Sequence, residues 1–373
     1  MMVKWSSISF LIYIALGLYF YFTTKYICRV KKKNTKKIVP IILFSTVPVF
    51  FSVFRLVNGN GVGGTDSQAY VEYFLASTKY DFNIIDTILF KTKSNPLFDF
   101  ICFSIRSFTS DYHIFFAFIY SFIVIVQYCV CLSIFKNNKY FVVLVYLIYF
   151  FLQSFNILRF MFGLSVLEIG FIFLSKKKGF FALFFAFLSS LIHSSLAISI
   201  VLILTVLVFK HIKKHKTAIL VSFVVIFNIV LLALKPFVLK IIGNSVYEGY
   251  MDSSLNIFAN LTCILCAFSS LLFFKQFKKK QNFDYSMLFC VFFDFACLPA
   301  ISYVNFFRIH IIFTIPRLYI WSQEIEICIS KTKDTISRAF LLSSFFTIIL
   351  AYTLFRFSRD WYGAGLMPYC FDF

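Results

Sequence analysis

The chain has 373 residues, of which 60% are apolar and only 14% charged, and its mean hydropathy is +0.86. A water-soluble fold of this length cannot hide so much apolar surface, which includes 56 Phe and 21 Tyr. The net charge of +20 does not point to nucleic acid, because the cations sit in short clusters between apolar runs, the pattern of cytoplasmic loops.

Apolar runs of about 20 residues recur along the whole length, as a bilayer core of about 30 Å demands of a helix. Helices satisfy their own backbone in lipid, and the runs are too long for barrel strands. The fold class is therefore all-α, a polytopic transmembrane helical bundle forming one integral membrane domain over residues 1–373. Most of the ten Cys, such as Cys129, Cys131, Cys263, Cys266, Cys290 and Cys297, lie inside apolar runs. There they act as small hydrophobes, and no spacing suggests a disulfide framework or a metal cage.

In chain order, the run 6–24 is followed by Lys25, Arg29, Lys31, Lys32, Lys33, Lys36 and Lys37 and preceded only by Lys4. A cleaved signal peptide carries its charge first, so this run is expected to be a retained span with its C-terminal end in the cytoplasm. A second span, 38–57, leads out to a polar outer segment, 58–112, whose residues 96–108 are amphipathic and short enough to lie along the interface. Spans 113–135, 140–158 and 160–174 follow, the last ending at Lys176, Lys177 and Lys178.

The next apolar run, 179–208, has basic residues on both flanks, ending in Lys210, Lys213, Lys214 and Lys216. One straight helix cannot place both flanks in the cytoplasm; two short helices folded as a hairpin can, with His193, Ser194 and Ser195 near the apex. Further spans are expected at 217–234, 257–274, 285–301, 307–322 and 336–356, with an outer tail at 357–373. The total is about 11–12 crossings.

The cations that defy this bias are informative. Arg55, Arg106, Arg159, Arg308, Arg317 and Arg356 lie at outer helix ends or inside spans. A guanidinium there costs about 3 kcal/mol on insertion scales near mid-bilayer, so it faces a polar cavity or a partner, or snorkels to the headgroups. The Arg fork suits phosphate oxygens. Gly59, Gly61, Gly63 and Gly64 precede Thr65, Asp66, Tyr70 and Tyr73 in the outer segment. That pattern reads either as a plain flexible loop or as backbone that lets the Asp66 carboxylate approach a substrate. His193 is either a hydrogen-bonded core histidine or a functional group at the apex. Glu168 and Asp294 are single acids within spans, facing the bundle interior with no partner evident in sequence. No nucleotide-phosphate loop, dinucleotide fingerprint or metal motif occurs, so no cofactor and no metal is expected.

Five stretches, FRLVNGNGVGGTDSQAYVEYF (54–74), NILRFMFGLSV (156–166), LIHSSLAI (191–198), NFFRIHIIFTIP (305–316) and the terminal LMPYCF, together resemble the EpsG/Wzy-type polysaccharide polymerases of bacterial envelopes. The family pattern falls here on Asp66, Tyr70, Arg159, His193, Arg308 and Tyr369. Where the family often carries an aromatic after the Asp, this chain has Ser67. The resemblance implies a multi-pass glycosyltransferase of the bacterial plasma (inner) membrane, active at its periplasmic face. It would polymerise undecaprenyl-diphosphate-linked oligosaccharides for O-antigen, capsule or exopolysaccharide. Arg159 and Arg308 would hold the diphosphate, with Arg55 or Arg317 assisting. Asp66 would be the acceptor-activating base or an acceptor ligand, His193 a second acid/base or positioning group, and Tyr70 and Tyr369 glycan contacts. The implied partners are these lipid-linked glycans, membrane lipid and a chain-length regulator protein, with no nucleic acid. Competing readings are a flippase of lipid-linked oligosaccharide, a polymer ligase or membrane acyltransferase, and a non-catalytic scaffold.

Overall fold

The computed structural model describes residues 7–30, 35–57, 64, 66–78, 95–135, 139–211, 257–281, 283–298, 307–332 and 334–337, with a few single positions between 222 and 347. The described residues form helices joined by turns, with no β-strand among them. They are α1 (Ser7–Arg29), α2 (Thr35–Val53), α3 (Ser67–Ala76), α4 (Pro96–Arg106), α5 (Tyr112–Ile134), α6 (Lys139–Gln153), α7 (Leu158–Ser175), α8 (Gly179–Ile192), α9 (Ile198–His211), α10 (Ile257–Leu272), α11 (Phe274–Lys279), α12 (Tyr285–Ala296), α13 (Phe307–Ile312) and α14 (Thr314–Lys331), with a 3₁₀ turn at Ser194–Ala197. Stretches of α1, α5 and α7 are long and apolar enough to cross a membrane, and shorter apolar stretches lie on α2, α8, α9, α10 and α12. The expected spans 217–234 and 336–356 and the tail 357–373 fall wholly or mostly outside the described residues.

Burial sorts the helices. Nearly every side chain of α7 is enclosed, and α7 packs against α5, α6, α8 and α12. On α8 the small residues Ala182, Ala186 and Ser189 are buried, while Phe180, Phe184 and Phe187 are exposed. Lipid tails are as apolar as Phe, so close helix contact is won by small residues, with the large ones turned to lipid. The matching notch on α7 is glycine: a Cβ at Gly170 would meet the Ala182 carbonyl oxygen at 3.1 Å and Phe185 Cβ at 3.3 Å.

Proline sets two local features. Pro48 of α2 offers no N–H to the Phe44 carbonyl, and the Tyr19 hydroxyl of α1 donates to that oxygen at 3.1 Å. The expected continuous span 307–322 is instead divided between α13 and α14. A proline ring clashes with the carbonyl four residues back, and Pro316 therefore ends the preceding helix at Ile312. The apolar run 179–208 is likewise broken at His193, whose φ of −149° and ψ of 115° are extended. The two halves lie against each other: a Cβ at Gly179, which opens α8, would stand 2.5 Å from Leu207 Cδ2 near the end of α9.

Gly170→Leu should force α7 and α8 apart and cost about 1–3 kcal/mol, whereas Phe184→Leu on the lipid-facing side should change stability by about 0.5 kcal/mol or less. Thermal unfolding of the detergent-solubilised protein measures both, and equal shifts would contradict this packing.

Candidate functional site

The N-terminal end of α7 is where separated parts of the sequence converge. The turn before it, Ser154 to Ile157, receives three hydrogen bonds from two other elements. From α5, Tyr120 donates its hydroxyl to the Ser154 carbonyl at 3.1 Å. From the outer segment, the Ser67 hydroxyl bonds the Phe155 carbonyl, and the Asp66 N–H donates to Asn156 Oδ1 at 3.2 Å. Gly64 makes this approach possible. Its φ is +112°, and a Cβ there would fall 2.1 Å from the Phe155 carbonyl oxygen.

Arg55, just past α2, locks the same corner. It is 1% exposed and donates to the Ser52 carbonyl and, at 3.0 Å, to Ser67 Oγ. Its guanidinium carbon lies 4.9, 5.0 and 4.5 Å from the ring centroids of Phe116, Tyr120 and Phe155. Cation–π contacts of this desolvated kind are worth about 2 kcal/mol. Ser67 therefore serves the framework, because its hydroxyl ties this guanidinium to the turn, which an aromatic residue at this position cannot do.

Arg159 follows in the first turn of α7, half-buried, with its guanidinium 5.8 Å from the Phe98 ring centroid. Its Nε is buried and donates to nothing among the described residues. Beside it, Asp99 of α4 is 7% exposed. Asp99 accepts the Tyr73 hydroxyl on one oxygen and the Asn95 N–H, at 3.1 Å, on the other. Asn95 turns its own side-chain oxygen to the Ser194 N–H at 3.1 Å. His193 completes the circle: it is buried, with its ring 5.3 Å from that of Phe160. Its Nδ1 accepts the Ser195 N–H at 3.3 Å and contacts Ser195 Oγ at 2.8 Å, which caps the 3₁₀ turn.

The electrostatics of this circle follow from burial. Burial pushes the Asp99 carboxyl above its usual range, against the opposing pull of the Tyr73 and Asn95 hydrogen bonds and the Arg159 charge. The Tyr73 phenol is raised by burial first and then by its bond to the Asp99 carboxylate.

Asp66, Tyr70, Arg159 and His193 are therefore gathered around one end of α7, with the Tyr70 ring 6.5 Å from Phe98. Arg308 lies on α13, which packs on the Ser194–Ala197 turn; its side chain, like all of Tyr369, lies outside what is described. Arg317 belongs to a different, interior cluster. It bonds Asp294 of α12, which also holds His310 Nδ1 at 2.6 Å. Cys263, Asp294 and His310 bring one possible ligand atom each within 4.8 Å of one another. Within this cluster the Arg317 guanidinium compensates the charge of the Asp294 carboxylate. Glu168, the other acid within a span, is bonded by Tyr146.

Nothing in the sequence marked Asn95, Asp99, Asn156 or His310 as site residues. Asp99 carried one signal, since an acid in the first turn after Asn95-Pro96 suits a helix N-terminus. Arg317 was conspicuous as a cation inside an expected span, but its pairing with Asp294 and His310 left no mark in the sequence, because it joins residues from separate helices.

Among known proteins, residues 41–371 match the family model of the EpsG family. No curated protein and no solved structure matches the chain.

The raised Asp99 carboxyl has a consequence for stability. The folded state binds this proton more tightly than the unfolded chain, so the contribution is full below the ordinary carboxylate value and is lost as pH rises through the raised one. Asp99→Asn stays neutral throughout. Above about pH 4 the wild type should therefore lose stability relative to Asp99→Asn as pH rises. Thermal unfolding of the two proteins in a series of buffers of increasing pH measures it; a constant difference would refute the assignment.

Proposed function

The chain belongs to the EpsG family, a Wzy-type polymerase-like family, and from that premise we propose that it is a glycosyltransferase joining lipid-diphosphate-linked oligosaccharide repeats at the outer leaflet of a bacterial plasma membrane. The observation that carries this reading is Arg159: a half-buried guanidinium whose Nε has no partner among the described residues, at the far end of α7 from Lys176, Lys177 and Lys178. Eighteen residues of helix span about 27 Å, so this arginine and those lysines lie at opposite faces of a bilayer core. With the lysines cytoplasmic, Arg159 is on the outer side. The short α8 and α9, with the first residue of one beside the end of the other, support a hairpin that brings His193 to that same side.

We assign Arg159, with Arg308 from the neighbouring α13, to the diphosphate of the donor lipid. As the anomeric carbon–oxygen bond breaks, its electron pair departs with the diphosphate, and guanidinium groups stabilise the developing charge. Arg55 and Arg317, already engaged by protein groups, hold the framework around that grip. Asp66 and Tyr70 line the outer segment as acceptor and glycan contacts, and His193 positions the apex through Ser195. No nucleotide sugar is needed, because the lipid diphosphate is itself the leaving group.

Arg159→Ala should abolish the polymer ladder while one-repeat product remains, a loss of about 100-fold or more, and Arg159→Lys should retain part of the activity. The change orphans no hydrogen-bond partner among the described residues, so the amount of protein in the membrane should be unchanged. Gel analysis of the cell's glycan beside immunoblots of membranes tests this. A full ladder from Arg159→Ala would remove the assignment, and leaflet transfer without bond formation by purified protein would favour a flippase.

A further inference from the structure

The Asp294 cluster is a second polar centre that gripping a diphosphate does not use. Both oxygens of this wholly buried carboxylate are committed: Oδ1 to His310 Nδ1 and Oδ2 to the Arg317 guanidinium. Arg317 also donates to the His310 carbonyl at 2.7 Å and to Thr314 Oγ1 at 3.1 Å, and the Cys263 thiol lies within 4.8 Å of the Asp294 carboxylate. That carbonyl also accepts the Phe313 N–H at 3.2 Å, in the turn where α13 gives way to α14.

One atom is left over. His310 is 8% exposed, yet its Nε2 is buried and has no hydrogen-bond partner among the described residues. An orphaned acceptor of this kind costs about 1–3 kcal/mol, and such groups call for a functional explanation. One carboxylate against one guanidinium closes the local charge balance. With Nδ1 held on the Asp294 carboxylate, the tautomer that donates from Nδ1 presents a lone pair at Nε2.

Its place in the fold connects it to the site. Helix α13 packs on the Ser194–Ala197 turn, and the His193 ring before that turn contacts Phe160, the neighbour of Arg159. Asp294 lies near the end of α12 remote from the basic segment Lys275–Lys280, and Arg317 lies in the first turn of α14, remote from Lys331. With those lysines on the cytoplasmic side, as for Lys176–Lys178, both sit toward the same face as Arg159.

We propose that His310 is the general base of the glycosyl transfer, with Asp294 as its positioning residue. The inference rests on the polymerase reading. The acceptor hydroxyl oxygen forms the new bond to the anomeric carbon, the bond from that carbon to the diphosphate oxygen breaks, and the hydroxyl proton moves to His310 Nε2. Asp294 then faces the imidazolium it has oriented, and Arg317 keeps the carboxylate in place. Among the described side chains, the charged and titratable groups around the ring are Asp294 from α12, Arg317 from α14 and Cys263 from α10, and the 3₁₀ turn that follows His193 packs on the ring's own helix.

The test compares wild type, His310→Asn, His310→Ala and Arg159→Ala in proteoliposomes. The probe is the host's own undecaprenyl-diphosphate-linked repeat, extracted from a strain lacking this chain. Asparagine keeps a donor toward Asp294 and removes Nε2. Turnover by His310→Asn should fall by about 10²–10⁴-fold with donor binding intact, whereas Arg159→Ala should lose donor binding. The acid limb of the rate–pH profile should vanish in His310→Asn, and added imidazole should restore part of the activity of His310→Ala. Wild-type turnover by His310→Asn overturns the proposal while leaving the polymerase reading intact. Loss of donor binding together with turnover, without imidazole rescue, also overturns it. Wild-type protein that forms no glycosidic bond overturns both.

Discussion

The buried guanidinium of Arg55 is the joint on which the outer end of the bundle depends. A charge cannot be left bare in an apolar interior, so the chain surrounds it with a carbonyl, a hydroxyl and three aromatic faces. Those groups come from α2, α3, α5 and the α6–α7 turn. Satisfying one cation therefore fixes four elements at once. Arg159 lies four residues past Phe155 on the stretch of chain so fixed, and its place follows from that joint.

The arginines then divide by what surrounds them. Arg55 and Arg317 have donors spent on the protein, one against ring faces and one against a carboxylate. Arg159 shares a ring contact with Phe98 and long-range attraction with Asp99, and keeps a buried N–H without an acceptor among the described residues. The same residue type thus serves as mortar in two places and, in the proposed mechanism, as a binding group in the third. Arg159 is only half-buried where the other two are enclosed, and the partner sets the role.

Helix breaks supply the polar chemistry that unbroken helices withhold. At His193 the interrupted run exposes backbone N–H groups, and Asn95 and the histidine ring answer them. At Phe313, Pro316 stops the helix, and the His310 carbonyl is taken by Arg317. The two breaks are adjacent through the packing of α13 on the 3₁₀ turn. A membrane protein tolerates irregular backbone only where protein groups or a polar cavity receive it, so neighbouring breaks concentrate hydrogen-bonding capacity in one region.

The sequence by itself determined the helical membrane class and most described helix positions, because apolar run length and Lys clustering are local properties that lipid reads directly. It also pointed to Asp66, Arg159 and His193, each conspicuous by chemistry out of place. Only the tertiary structure decided that these three share one end of α7, that Arg55 is a buried joint, and that Asp294 pairs with His310 and Arg317. Those outcomes depend on contacts between residues tens of positions apart, set by small-residue notches and helix breaks. Such contacts leave no mark in the hydropathy of any single segment.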